Sequence, residues 1–240
     1  MVRSGTVVTA ARPTYARYVT SPLPLFPLST VLFPGLVMPL HVFEERYRAL
    51  VRHLLTLPDE TPREFGVVAI RRGWEVDVGT GEVTLHDVGC TAEVRKLTEH
   101  PDGRFDLVTV GRTPFEITRI VPADTPYLQA EVRYLEEPEP TGDTDLVAPQ
   151  VLALFQAYLR LIRADAAGEQ LPEDPTVLSH LVAATTALTV AERQELLAIP
   201  DTAGRLRAEL GLLRRELGLL REVRAVPATL ADLSVKPGSN

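Results

Sequence analysis

Apolar residues recur with a period of two through the first half of this chain and with a period of three to four through the second. From Leu23 to about Leu135, short β-branched runs are broken by Gly, Pro and Asp-Gly, which predicts a β-rich half. Cys90, Ala92 and Val94 alternate with Thr91, Glu93 and Arg95, as on a strand with one buried and one wet face. Asp102-Gly103 predicts a tight two-residue hairpin turn, since Gly tolerates the positive φ this demands, and Phe105 to Val110 returns as the partner strand. Gly111 marks a bend before a further strand, Phe115 to Val121, and Tyr127 to Leu135 repeats the alternation, so that four strands form a meander. One helix interrupts this half: Phe43, Tyr47, Leu50, Val51 and Leu54 fall at helical steps and predict a face packed on the sheet.

Between Glu136 and Asp145 the composition turns to Glu, Asp, Pro, Thr and Gly, which predicts a linker at 139–145. Beyond it Val151, Leu154, Phe155, Tyr158, Leu161 and Ile162 line one face of a helix from about Leu146 to Arg163. Asp174 as N-cap with Pro175 at the first helical position opens another, with Val177, Leu178, Leu181 and Val182 as its buried stripe. Thr189 and Glu192 have the spacing of a capping box, Pro200 ends that short helix, and Asp201 caps the last one. This last helix repeats Glu-Leu-Gly-Leu-Leu-Arg from Glu209 and again from Glu216, which places Leu206, Leu210, Leu213, Leu217 and Leu220 on one seam. That seam needs an apolar partner, either the other helices of the chain or a second copy in a homodimer through Leu206, Leu213 and Leu220. The pattern is therefore α+β: a mainly antiparallel β domain over 21–138, then a helical bundle over 146–226 with a long C-terminal helix, between tails at 1–20 and 227–240 expected to be disordered.

Composition narrows the classes. Hydrophobic residues make up 45% of the chain and charged residues 24%, enough for a packed core and inconsistent with overall disorder. Pro or charge interrupts every apolar run, so no membrane span is expected, and residues 1–20 lack the apolar segment of a secretory signal; their three arginines without an acid also fit a transit peptide. The single cysteine, Cys90, excludes an internal disulfide and suits the reducing cytoplasm. Net charge is −7, and the segment Ser21–Leu135 carries 12 Arg or Lys against 16 Asp or Glu, so nucleic acid is not an expected partner.

The most specific signal is a motif. Pro24-Leu-Phe26-Pro27-Leu-Ser-Thr-Val-Leu-Phe33-Pro34-Gly35, then Met38-Pro39-Leu40 and Val42-Phe43-Glu44-Glu-Arg46-Tyr47, resembles the opening of the Lon protease N-terminal, substrate-binding domain. The resemblance runs on through Gly66 to Ile70, Val88 to Val94, Asp102 to Arg104, the Gly111 strand and Pro126-Tyr127-Leu-Gln-Ala130. It implies a PUA-like β domain followed by a helical bundle, and recognition of exposed or unfolded polypeptide through an apolar surface. One departure is visible: the family has Arg directly before the Phe of the Gly111 strand, whereas Thr113-Pro114 precedes Phe115 here, with Arg112 as the available substitute.

Full Lon proteases add an ATPase and a Ser-Lys protease module. This sequence contains no Gly-Lys pair for a phosphate-binding loop, and its two lysines, Lys96 and Lys236, are poor candidates for a desolvated base. No catalytic residue, cofactor or metal site is expected: His41, His53, His86, His100 and His180 show no ligand spacing, Cys90 reads as core, and the adjacent Glu44 and Glu45 diverge on a helix. Candidate peptide-binding residues are Phe33, Leu36, Met38 and Trp74. Phe33 and Met38 also suit a core, and Trp74, after an apparent turn, also suits a cap on the sheet edge. A non-catalytic polypeptide-recognition module is the reading preferred; an adaptor for one protein partner and RNA binding through the PUA-like fold are the alternatives.

Overall fold

The computed structural model describes residues 22–73, 84–140, 142–162 and 170–225. Six strands and five helices succeed one another as β1 (Leu23–Leu28), β2 (Val37–Val42), α1 (Glu45–Leu55), β3 (Glu64–Arg72), β4 (Thr84–Glu99), β5 (Phe105–Val121), β6 (Gln129–Tyr134), α2 (Gly142–Ile162), α3 (Pro175–Thr185), α4 (Val190–Ala198) and α5 (Thr202–Ala225). The two tails and the Trp74 segment lie outside the described residues.

The strands run in the order β2-β5-β4-β3-β1-β6, and β6 pairs again with β5, so five of them close into a ring from which β2 extends as an edge. All ladders are antiparallel except β1 with β3. The prolines of the opening motif suggest edge strands, and β2 with Pro39 is one, but β1 has neighbours on both sides. Its ladders are staggered: Leu23 and Pro24 pair with β6, whereas Leu25 to Leu28 pair with β3. Leu25 N donates to Leu128 O on the β6 side (2.8 Å), so Pro24 faces β3 before that ladder begins and Pro27 faces β6 after that ladder has ended. Neither position requires the donor that proline lacks.

The region between Phe105 and Val121 is one long bent strand and not two. Its first half holds β2 and its second half β6. Glycine is required at 111, where β5 passes from β2 to β6, because a Cβ there would run into the Phe33 carbonyl oxygen. The Asp102-Gly103 turn is present with Gly103 at φ +77°, but the ladder stops at Glu99–Phe105, so residues 100–104 form a wider loop closed by His100 N donating to Arg104 O (2.9 Å). Arg48 of α1 reaches this loop and donates to the Gly103 carbonyl (2.7 Å).

Inside the ring Phe115 packs with Leu25, Val68, Ala130 and Val132, its ring set against the bare backbones of Gly66 and Gly89. Outside it Phe26, Phe65, Val67 and Cys90 meet Tyr47, Leu50, Val51 and Leu54 of α1 and Leu196 and Leu197 of α4. Phe43 does not join that face. It precedes the helix, is 61% exposed and stacks beside His41 at 6.2 Å. Glu44 is the N-cap, and Glu45 in the first turn with Arg52 and His53 in the last complements the helix dipole.

The helical half keeps its expected signals. Asp174 accepts from Val177 N ahead of Pro175, Thr189 and Glu192 close a capping box, and Asp201 accepts from Gly204 N at 2.7 Å. α2 starts at Gly142, four residues before the apolar periodicity, because Asp143 and Asp145 stabilise its first turn and Asp143 pairs with Arg207 at 2.6 Å. The seam residues Leu206, Leu213 and Leu217 are buried against Val151, Phe155 and Tyr158 of α2 and Leu178 and Val182 of α3. The chain itself therefore supplies the partner that the seam requires. By length and composition α2 could cross a membrane, yet its apolar face is the one packed in this bundle.

Candidate functional site

A cleft of about 480 Å³ opens where the barrel meets the bundle. One lip is Pro34, Gly35 and Leu36; a second is the β5 stretch Arg112, Thr113 and Pro114; α3 presents Val177 and Leu181, and Leu135 to Glu137 lie beneath. The Pro34-Gly35 lip turns through Gly35 at φ +77° and is pinned to the bend of β5 by Gly35 N donating to Gly111 O and Gly111 N donating to Leu36 O, both 2.9 Å. Leu135 N donates to Pro114 O (2.8 Å), which holds the floor to the second lip. Val177 departs from its expected buried stripe: it is 51% exposed, and its side of α3 borders the cleft.

Below these apolar walls lies a polar knot. Glu137 accepts from His180 Nε2 at 3.2 Å and from the Thr202 hydroxyl at 2.5 Å, and it pairs with Arg205, itself only 2% exposed. Burial pushes the Glu137 carboxyl up, but bonds from His180 and Thr202 and the charge of Arg205 outweigh it and hold the group at about 2. Burial lowers the His180 pKa and Arg205 adds to the effect against the pull of Glu137, so the imidazole is neutral at physiological pH. With Nε2 donating, Nδ1 is an acceptor, and it has no partner among the described residues. Arg205 Nε also donates to Ser179 Oγ (2.9 Å), whose own proton goes to the Thr176 carbonyl (2.9 Å). The network braces the base of the cleft by tying α3 and α5 to the segment after β6.

Of the three peptide-binding candidates among the described residues, Leu36 alone borders the cleft. Phe33 is fully buried, its ring 6.1 Å from that of His180, and thus supports the site from beneath. Met38 packs half-buried on the barrel core through β2, and Trp74 lies outside the described residues. The motif residues are framework: Phe26 stacks on Tyr47 at 4.0 Å, Arg46 lies over the Tyr47 ring at 4.6 Å and pairs with Glu44, and Tyr127 is buried beside His53. Pro24 and Pro39 sit on β1 and β2 as described, while Pro34 reaches the cleft itself. Arg112, beside the departure from the family pattern, lines the rim and donates from Nε to Glu93 at 2.5 Å. Burial drives the Cys90 thiol far above its ordinary range, as for an inert core residue.

Two features have no signature along the chain. Val177, Leu181 and Pro114 meet Leu36 only through the docking of α3 on the barrel. His41, His100 and Asp106, without ligand spacing in the sequence, come together on the far part of the β2–β5 ladder.

Residues 22–215 match the family model described as the ATP-dependent protease La (LON) substrate-binding domain. A Lon protease of Anaeromyxobacter dehalogenans is 30% identical over 197 residues, which cover 79% of this chain and 22% of that protein. Lon protease 2 of Syntrophobacter fumaroxidans is 31% identical over 191 residues, 77% of this chain and 23% of its own length. The chain thus spans less than a quarter of these relatives. The crystal structure of a Lon N-terminal domain protein from Xanthomonas campestris superposes with a TM-score of 0.58 at 25% identity, over 80% of this chain and 98% of that one. The N-terminal domain of a Mycobacterium avium complex Lon protease shares the fold, with a TM-score of 0.62 at 18% identity over 81% and 98%. With the match extending across barrel and bundle alike, the chain belongs to the Lon substrate-binding domain family.

Proposed function

We propose that the chain is a non-catalytic recognition module that holds exposed or unfolded polypeptide segments in the cleft between barrel and bundle. The observation that carries this reading is the cleft itself: open apolar side chains, Leu36, Val177 and Leu181, converge with Pro34 and Pro114 on a volume within the usual range of ligand sites. Its charged base is paired internally, so it neither demands a charged ligand nor exposes a reactive group. An extended apolar segment would bury its side chains on these walls, a gain of roughly 25 cal/mol per Å² of apolar surface. The acidic balance of the β half opposes nucleic acid as the occupant. A lone buried cysteine suits a cytoplasmic setting. Peptides carrying a photo-crosslinking group, with mass spectrometry of the products, test the placement. Labels are expected on residues 34–36, 113–114 and 176–181, and labels confined to any other face would contradict it.

A further inference from the structure

The exposed strand edge opposite the motif's turns carries a second constellation. His41 on β2 and Asp106 on β5 are direct partners across an antiparallel ladder. On the other side Asp106 faces Thr98 of β4, and His100, two residues further, returns to the same face at the hairpin loop. His41 Nδ1 lies 2.6 Å from one Asp106 carboxylate oxygen and His100 Nε2 lies 2.7 Å from the other. All three ligand atoms fall within 4.8 Å of one another. The groups are open to solvent, with side-chain exposures of 48%, 37% and 51% for His41, His100 and Asp106.

We propose that His41, His100 and Asp106 form a binding site for a divalent transition-metal ion of the zinc class. Two imidazole nitrogens with one carboxylate oxygen suit a borderline-soft cation, whereas calcium or magnesium requires an oxygen shell. Tetrahedral ligation at ~2.0–2.1 Å separates ligand atoms by about 3.3 Å, so three ligand atoms already within 4.8 Å of one another converge on one ion by side-chain adjustment alone. In the ion-free state each imidazole donates an N–H to the Asp106 carboxylate, which can only accept. On binding, that proton sits instead on the other ring nitrogen, Nε2 of His41 and Nδ1 of His100, and the freed lone pairs turn to the cation, with water completing its shell. The scaffold is held in advance: β2 and β4 are both laddered to β5, and Arg48 anchors the hairpin loop through the Gly103 carbonyl. Asp106 lies five residues from Gly111 along β5, about 17 Å, so this site is separate from the cleft.

The test is calorimetric titration of the chelator-treated full chain with Zn²⁺ alone, alongside the variants H41A, H100A, D106N and, as a control histidine elsewhere on the surface, H53A. One ion per chain is expected. Losing a direct ligand should weaken binding at least as much as losing a second-sphere partner, roughly tenfold or more, while H53A matches the native chain. Circular dichroism establishes that each variant is folded. Absence of saturable binding, or binding that D106N and H41A leave unchanged, or an equal loss in H53A, would overturn the site and leave a hydrogen-bonded triad. None of these outcomes bears on peptide binding at the cleft.

Discussion

Glu209, on the third turn of α5, is 1% exposed and neither carboxylate oxygen has a hydrogen-bond partner among the described residues. Burial raises its pKa well above the carboxylate range; the charge of Arg205 pulls it down and that of Glu137 pushes it up. A raised folded pKa means that the group costs nothing below about 4.5, where both states are protonated, and increasingly destabilises the fold as pH rises. Glu209→Gln removes that cost: denaturant titrations should show a gain of about 1–3 kcal/mol at pH 7 that vanishes near pH 4. Glu137 has the opposite sign. Its depressed value, about 2, supplies stability at neutral pH that disappears as pH falls from about 4.5 through about 2. Glu137→Gln should therefore cost about 3–5 kcal/mol at pH 7 by stranding buried Arg205, and should converge with the native chain at pH 2. Neither behaviour was legible in the sequence, where Glu209 belongs to a charged repeat and Glu137 to a polar connector. Glu137 and Arg205 stand 68 positions apart, and Glu209 has no hydrogen-bond partner among the described residues. Cys90, by contrast, could be read directly, because its neighbours alternate around it.

Elements marked by a local signal were the ones the sequence revealed. The caps at Asp174, Thr189 and Asp201 bond groups three residues away, so their effect is contained in a few letters. β5 was not legible as one strand, because a glycine at a bend and a glycine at a break look alike; what separates them is the approach of Phe33 to Gly111. That contact is backbone against backbone and cannot be relieved by a rotamer change. Gly111→Ala should lose about 2–3 kcal/mol of stability, measured as a shifted denaturation midpoint, and should weaken peptide binding by displacing Leu36. Val177 failed the helical-stripe expectation for a related reason: periodicity marks it as apolar but not as covered, and its exposure comes from the opening between α3 and the barrel. His100 and Asp106 flank the same turn, but a two-residue hairpin register would set them on opposite faces; the wider loop, with Glu99 opposite Phe105, brings them to one face, and His41 joins through the β2–β5 ladder.

Across the whole molecule, the barrel and bundle share structure rather than standing side by side. α4 packs Leu196 and Leu197 into the barrel's outer core, Gln194 Nε2 donates to Val88 O (2.7 Å), and Glu137, just past β6, ties to α3 and α5. Thermal unfolding should thus be a single transition by both helix and aromatic signals, and two separated transitions would show that the halves are independent. The order of a β half and an α half was readable from the change of period, but their docking was not, and the docking creates the cleft. We propose that this cleft holds unfolded polypeptide. Its most direct test is the affinity of a fluorescently labelled, reduced and alkylated polypeptide for the native chain and for Val177→Asp, a substitution at a half-exposed helix position that leaves the core untouched. Saturable binding by the native chain, weakened about tenfold or more in Val177→Asp, is the predicted result, since a charge buried against apolar side chains costs at least about 1–2 kcal/mol. No binding by the native chain, or equal binding by a correctly folded Val177→Asp, would contradict the account.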